Sequence, residues 1–231
     1  MQLIRKTILS TRPVSAALVR AAQSKNIELE AISFIETEAI EDVEVQQEIE
    51  QAALQRAAIV FTSMNAVKAV TDMLDQQVPE WRIYCIGHKT QELVSDYFGA
   101  QSIAATADHA MALADAIIED GPEEVFFFCG NNRRDELPHQ LQEHNIEVNE
   151  ITVYQTRLLP HKVDKAYDAV VFFSPSAVDS FFKLNKLPEH TIVYAIGNTT
   201  KAAVKKYCSN PVKVGDSPDK EALIRKVITS S

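Results

Sequence analysis

The phrase "FTSMNAV" at residues 61–67 recurs as "FFSPSAV" at 172–178. Each copy runs an apolar stretch into Ser, then a small polar residue two places on, then Ala-Val. A second matched phrase follows each: "IGHKTQELV" from Ile86 and "IGNTTKAAV" from Ile196. Gly87 lies 24 residues after Ser63, and Gly197 lies 23 after Ser174. The chemistry that these residue types suit is anion binding. The first N–H groups of a helix have no internal partner, and the helix dipole favours negative charge at that end. Ser63, Asn65, Ser174 and Ser176 are spaced to cap such helices or to donate to a carboxylate. Gly87 and Gly197 let a ligand approach backbone N–H groups, with Lys89, Thr90, Thr199 and Thr200 beside them. Singly, the same residues also fit plain caps and tight turns; their grouping points to a ligand.

Arg12, Arg133 and Arg134 each follow an apolar run. Arginine pairs bidentately with carboxylates, and the alternative for each is a solvated surface charge. The chain has a net charge of −9, so an anionic ligand needs a local basic lining against that background. The acidic balance speaks against broad nucleic-acid binding, which needs a basic face. The six histidines have no metal-ligand spacing, and His139 and His144, five apart, miss the i, i+4 pattern. No Gly-x-Gly-x-x-Gly or Walker pattern is present. A metal site is not expected, and a dinucleotide or P-loop reading has no support.

These residues need elements to hold them. "KTILST" (6–11), "AAIVFTS" (57–63), "RIYCIG" (82–87), "EVFFFCG" (124–130), "AVVFFS" (169–174) and "TIVYAIG" (191–197) read as short buried strands. "IELEAISFIE" (27–36) and "EVNEITVYQT" (147–156) read as further strands. Helical stripes follow, such as Ala66, Val67, Val70 and Leu74, or Leu93, Val94, Tyr97 and Phe98. Alternating strands and helices mean an α/β protein with parallel sheets. "NIELEAISFIET" (26–37) aligns with "NIEVNEITVYQT" (145–156) at an offset of 119, and "TADHAMALADAI" aligns with "SPDKEALIRKVI" at 111. Two copies of about half of the 231 residues are therefore present. The equivalent segments 34–45 and 152–163 read as extended strands able to carry the chain between domains. That gives one domain of 1–37 plus 156–231 and another of 38–155. A tandem split near 119 is the alternative.

Cys85, Cys129 and Cys208 are odd in number and far apart, which predicts a cytoplasmic protein without a disulfide framework. The N-terminus is not read as a signal peptide, and no run of about 18 apolar residues exists to span a membrane.

In order, "TRP", "FTSMNAV", "IGHKTQELV", "GNNRRDELPHQL", "VYQT", "FFSPSAV" and "IGNTTKAAV" resemble the uroporphyrinogen-III synthase family over nearly the whole chain. The resemblance implies two similar, flavodoxin-like parallel-sheet domains that face each other across a two-stranded connector, the first being discontinuous. This favours the crossed division over the tandem one. It also implies a cofactor-free lyase. Hydroxymethylbilane, a linear tetrapyrrole with eight carboxylates, would lose water and close into a ring with its last pyrrole inverted. The duplication would then supply anion-receptive helix ends from both domains, and closure on the substrate is expected. The tyrosine of "VYQT", Tyr154, is the implied general acid: a phenol is a neutral donor at working pH, and the hydroxyl leaving group departs poorly without one. The repeat mate of Tyr154 is Ile35. Met64 stands where the second copy has Pro175, and Pro138 suits a helix that begins there. Two readings compete: a non-catalytic two-domain binder of an anionic metabolite, and a regulatory domain that lost its site. The protein is expected to act as a monomer on a small molecule, with no nucleic-acid or membrane partner.

Overall fold

The computed structural model describes residues 5–230. In chain order the elements begin with β1 (Lys6–Ser10), α1 (Ala16–Gln23), β2 (Ile27–Ala31), β3 (Ile35–Ala39), α2 (Val43–Ala53), β4 (Ala58–Phe61), α3 (Met64–Met73) and β5 (Arg82–Ile86). There follow α4 (His88–Phe98), a 3-10 turn at Ala100–Ser102, β6 (Ile103–Ala107), α5 (Ala110–Asp120), β7 (Glu124–Gly130), α6 (Glu136–Glu143) and β8 (Glu147–Leu158). The last are β9 (Ala169–Phe172), α7 (Pro175–Phe182), β10 (Ile192–Ala195), α8 (Asn198–Lys205), β11 (Val212–Val214) and α9 (Lys220–Ser230).

The chain forms two compact units, Met1–Glu36 with Arg157–Ser231, and Thr37–Thr156. The first holds a parallel sheet in the order β11-β10-β9-β1-β2. Successive strand residues point to opposite faces, and here both faces are buried. Ile8, Ala169, Val171 and Tyr194 pack on one side with α1 and α9. Leu9, Val170, Phe172 and Val193 pack on the other with α7 and α8. The continuous apolar runs follow from that double burial. Each fully buried large side chain contributes about 1.5–3 kcal/mol.

The second unit repeats the plan with the order β3-β8-β7-β4-β5-β6. Ile59, Phe61, Ile83, Cys85 and Phe128 face α2, α3 and α4. Val60, Tyr84, Val125, Phe127 and Cys129 face α5 and α6. Strands β4 to β8 pair in parallel. β3 pairs with β8 in the opposite sense, since Ile40 N–H bonds to Val153 O and Leu159 N–H to Phe34 O. In both copies an asparagine with positive φ follows shortly after a helix, Asn26 at 57° after α1 and Asn145 at 60° after α6, a conformation that Asn tolerates better than most residues.

Three details differ from the sequence reading. Residues 27–36 are not one strand. Ile32 and Phe34 turn into the apolar core of the first unit, so the chain leaves one sheet after Ala31 and enters the other at Ile35. The segment 34–45 is extended only to Ala39, because Asp42 accepts the Glu44 N–H and starts α2. Finally, α6 begins at Glu136 rather than at Pro138. The proline still lies in the first turn, where its missing N–H leaves no bond unmade.

Candidate functional site at the carboxyl ends of the strands

In an open parallel sheet, ligands bind at the carboxyl ends of the strands, where the strand order reverses. In the second unit that point lies between β4 and β7; in the first it lies between β1 and β9. The candidates gather at these edges. Ser63 follows β4, and Arg133 and Arg134 follow β7. Arg12 follows β1, and Ser174 follows β9. The glycine turns lie at the same edge, after β5 and β10.

In the second unit the Ser63 hydroxyl accepts the Asn65 N–H at 3.1 Å and caps α3. The Asn65 side chain is exposed. Gly87 precedes α4 at φ 83° and ψ 146°, a region open essentially to glycine alone. Its N–H bonds to Ala107 O, and its carbonyl accepts the Thr90 N–H at 3.1 Å. Lys89 points outward, whereas Thr90 is only 5% exposed. Arg133 is already engaged: it forks onto Glu150, with one bond at 2.8 Å, and also bonds Asp135. Burial opposes its charge, but the bonds to Asp135 and Glu150 outweigh that and raise its pKa. The guanidinium therefore stays charged and holds the β7–α6 loop against β8, where the sequence suggested a cation reserved for a ligand. Arg134 is exposed.

In the first unit Ser174 caps α7 by accepting the Ala177 N–H at 3.2 Å, with Pro175 at the first helical position. Ser176 is half-buried in that turn. Gly197 precedes α8 with φ −162°, extended backbone that any residue adopts. Thr199 is exposed and Thr200 only 2% exposed. In both copies the two residues after the glycine are exposed and the third, a threonine, is buried. The Ser10 hydroxyl donates to Arg12 O at 2.7 Å, and Thr11 bonds to Val171 O through both its N–H and its hydroxyl. These bonds fix the turn that carries Arg12, whose guanidinium carbon stands 5.5 Å from the centre of the Phe173 ring.

Tyr154 lies on β8 beside the end of β7, opposite Gly130. It is half-buried and packs on the apolar cluster that contains Phe61 and Phe128. Burial pushes the thiols of Cys85 and Cys129 up to about 11, so neither is a nucleophile near neutral pH. Among the described residues no cluster of His, Cys, Asp and Glu is arranged to hold a metal ion, and no helix is long and apolar enough to cross a membrane. The sequence reading gave Gly130 and Asn131 no role, although the glycine directly after the run "EVFFFC" was the available signal.

The family model described as uroporphyrinogen-III synthase HemD matches residues 16–225. The uroporphyrinogen-III synthase of Saccharomyces cerevisiae is 28% identical over 202 residues, covering 72% of this chain and 73% of that protein. Among solved structures, a mutant uroporphyrinogen III synthase from Thermus thermophilus matches with a TM-score of 0.67 at 13% identity, covering 97% of this chain and 98% of that one. The uroporphyrinogen-III synthetase of Helicobacter pylori matches with a TM-score of 0.66 at 17% identity, covering 98% and 100%. At these identities the structural likeness concerns the fold, a two-domain α/β architecture.

Proposed function

The chain belongs to the uroporphyrinogen-III synthase family, and from that premise we propose that it is a lyase acting on hydroxymethylbilane. The enzyme removes water from the linear tetrapyrrole and closes it into uroporphyrinogen III with the last pyrrole inverted. The observation that supports this most is the clustering of hydroxyl caps, glycine turns and Arg12 at the strand edges flanking both switch points. A substrate with many carboxylates needs many N–H and hydroxyl donors, and each unit supplies a set.

Tyr154 is the proposed general acid. The carbon–oxygen bond of the hydroxymethyl group breaks, and the phenol proton leaves with the hydroxyl as water. The pyrrole carbon that forms the closing bond gives up a proton, which restores the balance. General acids contribute about 10²–10⁴-fold. Arg12 and the helix ends hold carboxylates so that the two termini of the chain meet in the inverting orientation; such positioning is worth as much as proton transfer or more. Discontinuous and continuous domains, divided near residues 37 and 156, follow from the crossed reading of the duplication. The free cysteines Cys85, Cys129 and Cys208 support a cytoplasmic enzyme, and we take it to act as a monomer.

The test is product analysis. Hydroxymethylbilane made in situ and supplied to the purified protein, with no metal or cofactor added, should yield the type III isomer. Accumulation of the type I isomer alone would overturn the proposal.

A further inference from the structure

We propose that Gly130 is a positioning residue for the Tyr154 phenol, an inference that rests on the reading of Tyr154 as the acid. The backbone does not ask for glycine here: the glycines at positive φ are Gly87, Gly99 and Gly121, and Gly130 is not among them. Space does. A Cβ on Gly130 would fall 2.7 Å from the Tyr154 hydroxyl oxygen and nearer still to Cζ and Cε2, well inside the roughly 3.5–4.0 Å of an ordinary contact. The atoms that meet it are the outer end of the ring, so the ring edge that carries the hydroxyl lies over the bare α-carbon.

A register shift brings the ring there. Along β7 and β8, Cys129 stands opposite Thr152, yet the next residue, Gly130, stands opposite Tyr154. Val153 is the extra residue of a bulge, a device that re-aims side chains beside active sites. Strict alternation would send Val153 and Tyr154 to opposite faces. Here both reach the same apolar cluster. Asn131 locks the shift: its N–H bonds to Tyr154 O at 3.2 Å, and its side-chain oxygen accepts the Thr156 N–H at 2.9 Å. The hydroxyls of Tyr84, Tyr97, Tyr167 and Tyr207 are bonded to Asp120, Gln77 O, Glu30 and Asp179. Among the described residues the hydroxyls of Tyr154 and Tyr194 have no such bond; Tyr194 is fully buried, whereas Tyr154 is half-buried at the strand edge, which leaves its hydroxyl available to a substrate.

Gly130→Ala forces the outer end of the half-buried ring to shift, which displaces the hydroxyl. The test is a kinetic cycle on the full chain with hydroxymethylbilane. Gly130→Ala should lower kcat by up to about 10²-fold, as for a displacement of about 1 Å, with KM within about twofold. On the Tyr154→Phe background it should lower kcat no further. Asn131→Ala, which leaves the glycine in place, should behave the same way with a smaller loss, and it carries the test if Gly130→Ala fails to fold. Losses that multiply with that of Tyr154→Phe would overturn the proposal, as they would show a general structural defect. If Gly130→Ala keeps the wild-type kcat while Tyr154→Phe loses it, the positioning role falls and the acid stands. If Tyr154→Phe keeps the wild-type kcat, the acid reading falls and the inference with it.

Discussion

Gly87 and Gly197 occupy the same place in the two copies of a strand–glycine–helix turn, but their backbones differ. Gly87 sits at φ 83° and Gly197 at φ −162°. A Cβ would meet nothing within 4 Å at either position, so space is equal and only the dihedral separates them. The serine caps show the same drift: Ser63 bonds the second helical N–H and Ser174 the third. Tyr154 and Ile35 complete the set, one a candidate acid and its mate an aliphatic residue of a connecting strand. Repeated letters mark common descent of the two halves. What each position demands is set afterwards by its local backbone and neighbours.

The largest difference between the copies is expected at the third pair. Tyr154→Phe should lower kcat by about 10²-fold or more, with little change in affinity for a substrate analogue, whereas Ile35→Val should leave turnover unchanged. Single-turnover kinetics with binding titrations would check this, and equal effects at both positions would erase the distinction. Next in size, Gly87→Ala should cost about 1–3 kcal/mol for its strained dihedral. Gly197→Ala should be neutral, or stabilising by about 0.4–1 kcal/mol through reduced freedom of the unfolded chain. Urea unfolding of the two variants reads that difference directly. Ser63→Ala and Ser174→Ala should each cost about 1 kcal/mol, and hydrogen exchange should report each loss in the first turn of its own helix, α3 or α7.

The smallest expected effect is a response to acid, and it involves one aspartate in each unit. In the first unit the Thr7 N–H, and then its hydroxyl, hold Asp168 and lower its pKa against burial. In the second the Tyr84 hydroxyl, and then Arg82, do the same for Asp120. Both shifts are downward from the ordinary 3.8. Their stabilisation is therefore complete at neutral pH and is lost as pH falls through the folded-state values. Thermal melts of Asp168→Asn and Asp120→Asn should be less sensitive to acid than those of the parent. A parent and variants with the same pH profile would contradict this.

The layers of the fold are legible because double burial leaves unbroken apolar strands, and because Asn26 and Asn145 punctuate both copies alike. The split of β2 from β3 is not legible, since Phe34 acts through a core it joins only in three dimensions. The site is half legible. Caps and turn glycines announce themselves by spacing to the next helix. The tie of Arg133 to Glu150 depends on cross-strand geometry, as does the meeting of Gly130 with Tyr154 across the bulge, and no local pattern records either.

The place of β1 between β2 and β9 has a consequence for synthesis on the ribosome. When β1 and β2 emerge, the partner that Ile8–Ser10 will pair with, Ala169–Val171, has not been translated. The nascent chain therefore carries an open sheet edge, the kind that invites aggregation, through the making of the 137 residues between Ala31 and Ala169. The stretch Thr37–Thr156 is continuous and can finish its own sheet in that interval. The middle of the chain thus matures first and the two ends last. The bond between Thr7 and Asp168 spans 161 residues, and so long a loop closes slowly. Any pause in translation before β9 prolongs the exposure of that edge, which makes the waiting N-terminal unit of β1, α1 and β2 the natural client for a chaperone.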